Sequence, residues 1–301
     1  MTSTTSPVAV IHAEPLVRTR TVLGEGVLWD ARTQVLYWLD IMAGEVFAVD
    51  PRTGVSRAYP IGQHVGTIVP RASGGLMLAV VDGFAAFDPA SGAVRMVARV
   101  AHGRPNLRFN DGKCDPAGRF WAGTMAYDGA AGAGCLHRLD ADRSVHAVLS
   151  GVTISNGLAW SADARTMYYI DTPTRVVSAF DADPVSGAIA RRRTCIEIPH
   201  ELGLPDGMAI DERGMLWIAL HESGRVGCWD PHHGRLLAMI EVPGAKLVTN
   251  CAFGGADLDE LYISTASIGL DDEALRFQPL AGSLFKARPG VRGVPAHAFA
   301  G

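Results

Sequence analysis

Apolar residues in this chain come in short bursts of four to six, rich in branched and aromatic side chains. Most of these bursts are stopped by an Asp, a turn-forming residue. Val35–Leu39, Glu45–Val49, Leu76–Val81, Met167–Ile170, Val176–Phe180, Leu216–Leu220, Val226–Trp229 and Leu261–Ser264 are of this kind. Runs of that length and composition predict β-strands. No long stretch keeps a helical period of about 3.6 residues. The best helix candidate, Asp271–Arg276, is barely a turn and a half. Asp-Pro-x-x-Gly recurs at Asp50–Gly54, Asp88–Gly92, Asp183–Gly187 and Asp230–Gly234, with starts 38, 95 and 47 residues apart. The middle interval spans about two periods, and Leu139-Asp140-Ala141-Asp142 marks the absent copy. Asp bonds its own backbone, Pro fixes φ and Gly tolerates positive φ, so the motif predicts hairpin turns.

A second repeat is sharper. Gly24-Glu25-Gly26, Asn110-Asp111-Gly112, Ser155-Asn156-Gly157 and Pro205-Asp206-Gly207 each open a segment that then turns apolar. Weaker copies begin near Gly66 and Asn250. Glu25, Gly66, Asn110, Asn156, Asp206 and Asn250 are separated by 41, 44, 46, 50 and 44 residues. Six units of about four strands predict an all-β fold, a six-bladed β-propeller with four-stranded antiparallel blades around a central channel. Such a ring cannot be cut without exposing two blades. Residues 1–301 are therefore expected to form a single domain, with residues 1–7 a flexible N-terminus. The segment Val8–Thr21 is expected to add a strand to the last blade near Gly282–Ala287, because an open edge invites aggregation. Trp29, Trp38, Trp121, Trp160, Trp217 and Trp229 mostly recur inside strands and read as blade packing.

Ring symmetry brings equivalent repeat positions together at the axis. Four units carry an oxygen side chain at the opening position: Glu25, Asn110, Asn156 and Asp206. Singly, each is a common turn residue. Together they are a set of hard oxygen donors, and a divalent cation relieves the repulsion of two converging carboxylates. Arg108, two residues before Asn110, shares its face in an extended strand and is placed to reach a substrate. Asp111 and Lys113 are expected to tie the blade turn together. His64, His221 and Glu222 are expected at the rim of the same mouth.

Composition narrows the partners. Lys and Arg number 27 against 31 Asp and Glu, a net charge of −4. No basic field exists to hold nucleic acid or an anionic membrane. No apolar run approaches the ~18–20 residues that span a bilayer. The N-terminal residues lack the basic and apolar regions of a secretory signal. The five Cys (Cys114, Cys135, Cys195, Cys228 and Cys251) are odd in number and widely spaced, so free thiols in a reducing cytoplasm are expected. The chain is expected to be a monomer or weak homo-oligomer. A GxSxG elbow, a Walker A loop and a strand–GxGxxG–helix unit are all missing, which disfavours acyl-enzyme chemistry.

Leu23–Asp30, Arg108–Met125, Ile154–Trp160, Tyr168–Thr172, Leu204–Asp211, Gly224–Pro231 and Cys251–Gly255 resemble stretches of the regucalcin/gluconolactonase family, also called senescence marker protein and luciferin-regenerating-enzyme-like. The likeness runs from about Leu23 to Gly301, and Arg-Phe-Asn-Asp-Gly-Lys with its extension is highly specific. The resemblance implies a six-bladed propeller with one divalent ion (Ca²⁺, Zn²⁺, Mn²⁺, Mg²⁺ or Fe²⁺) at its axis. It also implies hydrolysis of a sugar lactone, such as glucono-, xylono- or arabinonolactone, to the aldonic acid in sugar catabolism. By this resemblance Glu25, Asn156 and Asp206 bind the ion directly, and Asn110 does so directly or through water. Arg108 and Asn110 contact the substrate. Asp128 is the nearest match to a substrate-contacting acid after the Thr-Met-Ala segment, where Tyr127 departs from a common acidic pair. Asn250 stands where some members have Ser or Cys and is expected to face the pocket. The attacking water is activated by Asp206 as general base or by the ion itself. Two other readings remain: an organophosphate or aryl-ester hydrolase, and a calcium-binding regulatory propeller without turnover.

Overall fold

The computed structural model describes residues 8–103 and 105–301, so the expectation for residues 1–7 lies outside the described residues. Six sheets, antiparallel except for one added N-terminal strand, form a β-propeller. Their innermost strands are Gly24–Asp30, Val65–Pro70, Leu107–Cys114, Ser155–Trp160, Leu204–Ile210 and Val248–Gly254. Burial falls off outward. Every residue of Gly24–Asp30 is buried, whereas the outermost strand of the same blade, Ser56–Pro60, is mostly exposed. An inner strand is covered on both faces by neighbouring blades, which is why its apolar run is continuous rather than alternating.

The eight apolar bursts are all strands, with ends moved by no more than two residues. The helix spans Asp272–Phe277, and the Asp271 carboxylate accepts the Ala274 N–H at 2.8 Å. The four Asp-Pro-x-x-Gly turns share one construction. Each Asp carboxylate accepts the N–H two residues on, from Arg52, Ala90, Val185 or His232, at 2.8–3.0 Å. Each closing glycine has φ between 62° and 76°, the left-handed region that only glycine enters freely.

Glu14–Val17 is the outermost strand of the last blade, antiparallel to Leu284–Ala287, and this closes the ring as expected. The preceding strand, Ala9–His12, crosses to the neighbouring blade and pairs in parallel with Arg235–Glu241, so that sheet has five strands. One N-terminal segment therefore covers two edges that would otherwise stay open.

The C-terminal segment forms a strap that the sequence pattern did not announce. It crosses the face of the ring opposite the strand openings. Its backbone bonds reach four blades: Glu212 N–H to Arg292 O, Gly293 N–H to Leu258 O, Phe299 N–H to Pro70 O and Ala300 N–H to Gly118 O. Phe299 is fully buried with Val69, Met77 and Phe120. Among the described residues no helix is long and apolar enough to cross a membrane.

Candidate active site at the channel mouth

Each inner strand slips register against its neighbour just inside the mouth. The slips fall between Glu25 and Leu28, Val65 and Thr67, Phe109 and Gly112, Asn156 and Leu158, Pro205 and Met208, and Val248 and Asn250. A bulge of this kind kinks a strand and re-aims a side chain. The polar openers sit at or beside these bulges. The glycine that follows has a steric reason. A Cβ at Gly157 would lie 2.8 Å from Asp206 O, and one at Gly207 would lie 2.5 Å from Asn250 Cγ. Inner strands converge at the axis, and a side chain there would hold them apart. Two acids anchor the strand entries. Asp40 accepts the N–H groups of Val22 and Leu23, and Asp171 accepts those of Thr153 and Ile154.

The side chains form two chains of hydrogen bonds. In the first, Arg108 Nη1 donates to Asn110 Oδ1 at 2.7 Å and Asn110 Nδ2 donates to Asn156 Oδ1 at 2.9 Å. Asn156 Nδ2 then donates to Thr172 Oγ1 at 2.7 Å, and the Thr172 hydroxyl donates to Pro205 O at 2.8 Å, next to Asp206. In the second, Asn250 Nδ2 donates to Glu25 Oε2 at 3.1 Å and reaches Asp111 Oδ1 at 3.5 Å. Residues spread over 225 positions of sequence thus meet at one place. Glu25, Arg108, Asn110, Asp111, Asn156, Asp206 and Asn250 are all buried.

The carboxylates resist ionisation here. Burial, and next the nearby Asp111 carboxylate, push Glu25 to about 8 against the opposing pull of Asn250, Gly26 N–H and Arg108. Burial, then Glu25 and Asp111, hold Asp206 well above the usual carboxylate range. Burial also raises Asp111, and the Lys113 ammonium opposes it. Among the described residues Asp206 Oδ1 is buried without a hydrogen-bond partner. Such an orphaned oxygen is costly unless something positive meets it. Among the described residues no three His, Cys, Asp or Glu side chains close into a ready metal cage. The donor set that fits a hard cation combines the Glu25 and Asp206 carboxylates with the Asn110 and Asn156 carboxamides.

A family model described as SMP-30/Gluconolactonase/LRE-like region matches residues 23–267. The chain belongs to this family. Regucalcin of Danio rerio is 40% identical over 294 residues, covering 97% of this chain and 99% of that protein. The "Putative sugar lactone lactonase YvrE" of Bacillus subtilis (strain 168) is 39% identical over 293 residues, with the same coverage. The crystal structure of a calcium-binding protein, regucalcin, from Agrobacterium tumefaciens superposes with a TM-score of 0.91 at 26% identity, covering 97% of this chain and 99% of that one.

Other residues in this SMP-30/gluconolactonase family member fall where the sequence did not put them. Asp111 and Lys113 do not tie a blade turn. Both line the channel beneath the mouth, and Lys113 Nζ donates to Met208 O at 2.6 Å, two residues after Asp206. Asp128 is exposed and its Oδ1 accepts the Ala130 N–H at 3.1 Å. Tyr127 stands over the mouth instead. Its ring centre is 5.9 Å from Arg108 Cζ and its hydroxyl is 2.7 Å from His64 Nδ1. His221 ends its strand on the mouth side and Glu222 follows it, without a hydrogen bond to the cluster. Sequence reasoning also missed Thr172, although it closes the Tyr168–Thr172 stretch; a hydroxyl at a strand end gives no signal without its distant partners.

Proposed function

We propose that this chain hydrolyses a sugar lactone to the open-chain sugar acid at the channel mouth, with one divalent cation as cofactor. The unpartnered, buried Asp206 Oδ1 beside the charge-strained Glu25 is the observation that carries this reading. Glu25, Asn156 and Asp206 would hold the ion, with Asn110 completing the set. When bound, such an ion supplies Lewis-acid polarisation of the ester carbonyl. Asp206 takes the proton from an attacking water as its oxygen bonds the carbonyl carbon, then returns it to the ring oxygen as the ester C–O bond breaks. Arg108 and Asn250 orient the polyol, and Thr172 keeps Asn156 turned inward. The name of the Bacillus subtilis relative supports the substrate class. The polar wall of Arg108, Asn110 and Asn156 suits a polyol better than an organophosphate's apolar groups.

The test is pH-stat hydrolysis of glucono-, xylono- and arabinonolactone by metal-stripped protein, with ions added back singly and the spontaneous rate subtracted. Turnover restored by at least one divalent ion supports the proposal. A second reading, a calcium-binding propeller without turnover, is supported by the description of the Agrobacterium tumefaciens protein. Calcium binding with no hydrolysis of any lactone under any ion would establish that reading instead.

A further inference from the structure

Arg108 is only 6% exposed, and its recorded bonds all leave from Nη1, to Phe109 O at 3.0 Å and Asn110 Oδ1 at 2.7 Å. Among the described residues no hydrogen bond leaves Nε or Nη2. Nε and Nη2 form the edge of a guanidinium whose parallel N–H groups match a carboxylate. The two bonds from Nη1 hold the plane in place, so this edge is pre-organised.

The surrounding charges leave that edge unsatisfied. Burial destabilises the Arg108 charge; the Tyr127 phenol opposes this first, then Glu25 and Asp206 from the axis side. Once both carboxylates are committed to a cation, the guanidinium is a buried charge without an anionic partner, which is costly. Among the described residues no carboxylate on the outer wall bonds the guanidinium. Tyr127 covers the guanidinium at 5.9 Å, pinned across two blades by the 2.7 Å bond to His64. Asp128, the next residue, spends its Oδ1 on the Ala130 N–H. A carboxylate at position 127 would neutralise Arg108; a phenol leaves its charge available to a ligand.

We infer that the preferred substrate is a lactone bearing a free carboxylate, as the lactone of a sugar diacid does. Arg108 binds that carboxylate through Nε and Nη2, under the wall of Tyr127 and His64. The inference rests on the lactone reading above and sharpens its substrate class.

D-Glucaro-1,4-lactone and D-glucono-1,4-lactone share a ring and differ at one end, a carboxylate against a hydroxymethyl group. Cation-loaded wild-type protein should open the diacid lactone with kcat/KM at least about tenfold higher. That advantage should shrink as salt rises from about 50 to about 500 mM. Tyr127→Glu places an acid against the guanidinium and should cut the ratio about tenfold. Tyr127→Phe keeps the ring and adds no charge. An equal fall in the ratio there would assign the effect to the wall and overturn the charge argument. Equal kcat/KM for the two lactones, or a ratio indifferent to Tyr127→Glu, overturns this inference and leaves the lactone reading standing. No turnover of any lactone overturns both.

Discussion

At the mouth of the channel the inner strands present Glu25, Asn110, Asn156 and Asp206. Four residues further along, the same strands present Trp29, Cys114, Trp160 and Ile210 to a cavity of ≈ 90 Å³, capped by Val294–His297 of the C-terminal strap. The two ends share strands, blades and symmetry, yet one gathers carboxylates and carboxamides, and the other sets mostly apolar side chains with Asp111 and Lys113 under a lid. The bulges mark the change. Above them, re-aimed side chains converge on the axis, where the carboxylates repel one another and the carboxamides bond; below them, regular pairing resumes and the side chains pack. Unsatisfied polarity collects at the mouth, and apolar burial collects where the strap seals the ring.

Substitutions at the two ends should therefore have separable effects. Asp206→Ala is expected to lower lactone turnover by about 10³-fold and to abolish cation binding in calorimetry, because it removes both a donor and a base. Near wild-type turnover with the cation still bound would end the assignment. At the floor, Phe299→Ala should cost about 3–5 kcal/mol of stability in denaturant titration, since it empties a fully buried site. Its cation affinity should match wild type; a parallel loss would mean that the two ends are not independent.

The smallest expected effect is in the pH dependence of stability. In the ion-free protein Glu25 keeps its proton to about 8, whereas an ordinary glutamate loses it near 4.5. Between those values the unfolded chain binds fewer protons than the folded one, so stability falls as pH rises through the window. Asp206 and Asp111 are raised in the same sense. A cation that meets the ionised carboxylates reverses the trend. Calorimetry should show a larger rise in Tm on adding cation at about pH 8 than at about pH 5. The same rise at both would show that the mouth carboxylates do not carry the effect.

Sequence periodicity reached further than sequence chemistry in this molecule. The spacing of Asp-Pro-x-x-Gly turns and of the openers at Glu25, Asn110, Asn156 and Asp206 determined six blades, because each blade is a local hairpin sheet. It also determined the closing strand near Leu284–Ala287, since a ring has to end beside its beginning. The crossing of Ala9–His12 to the next blade was not legible. Four residues of ordinary strand composition say nothing about which of two adjacent edges they will cover.

Side-chain partners were decided only in three dimensions. Asp128 and Tyr127 are adjacent in the chain, and the local turn alone sends one to the Ala130 backbone and the other over Arg108. Lys113 looked like a turn residue until a blade two places round the ring brought Met208 O to 2.6 Å from it. A strand's period tells which face a side chain takes. What it meets there depends on bulges and on blades tens of residues away, and those contacts exist only once the ring has closed.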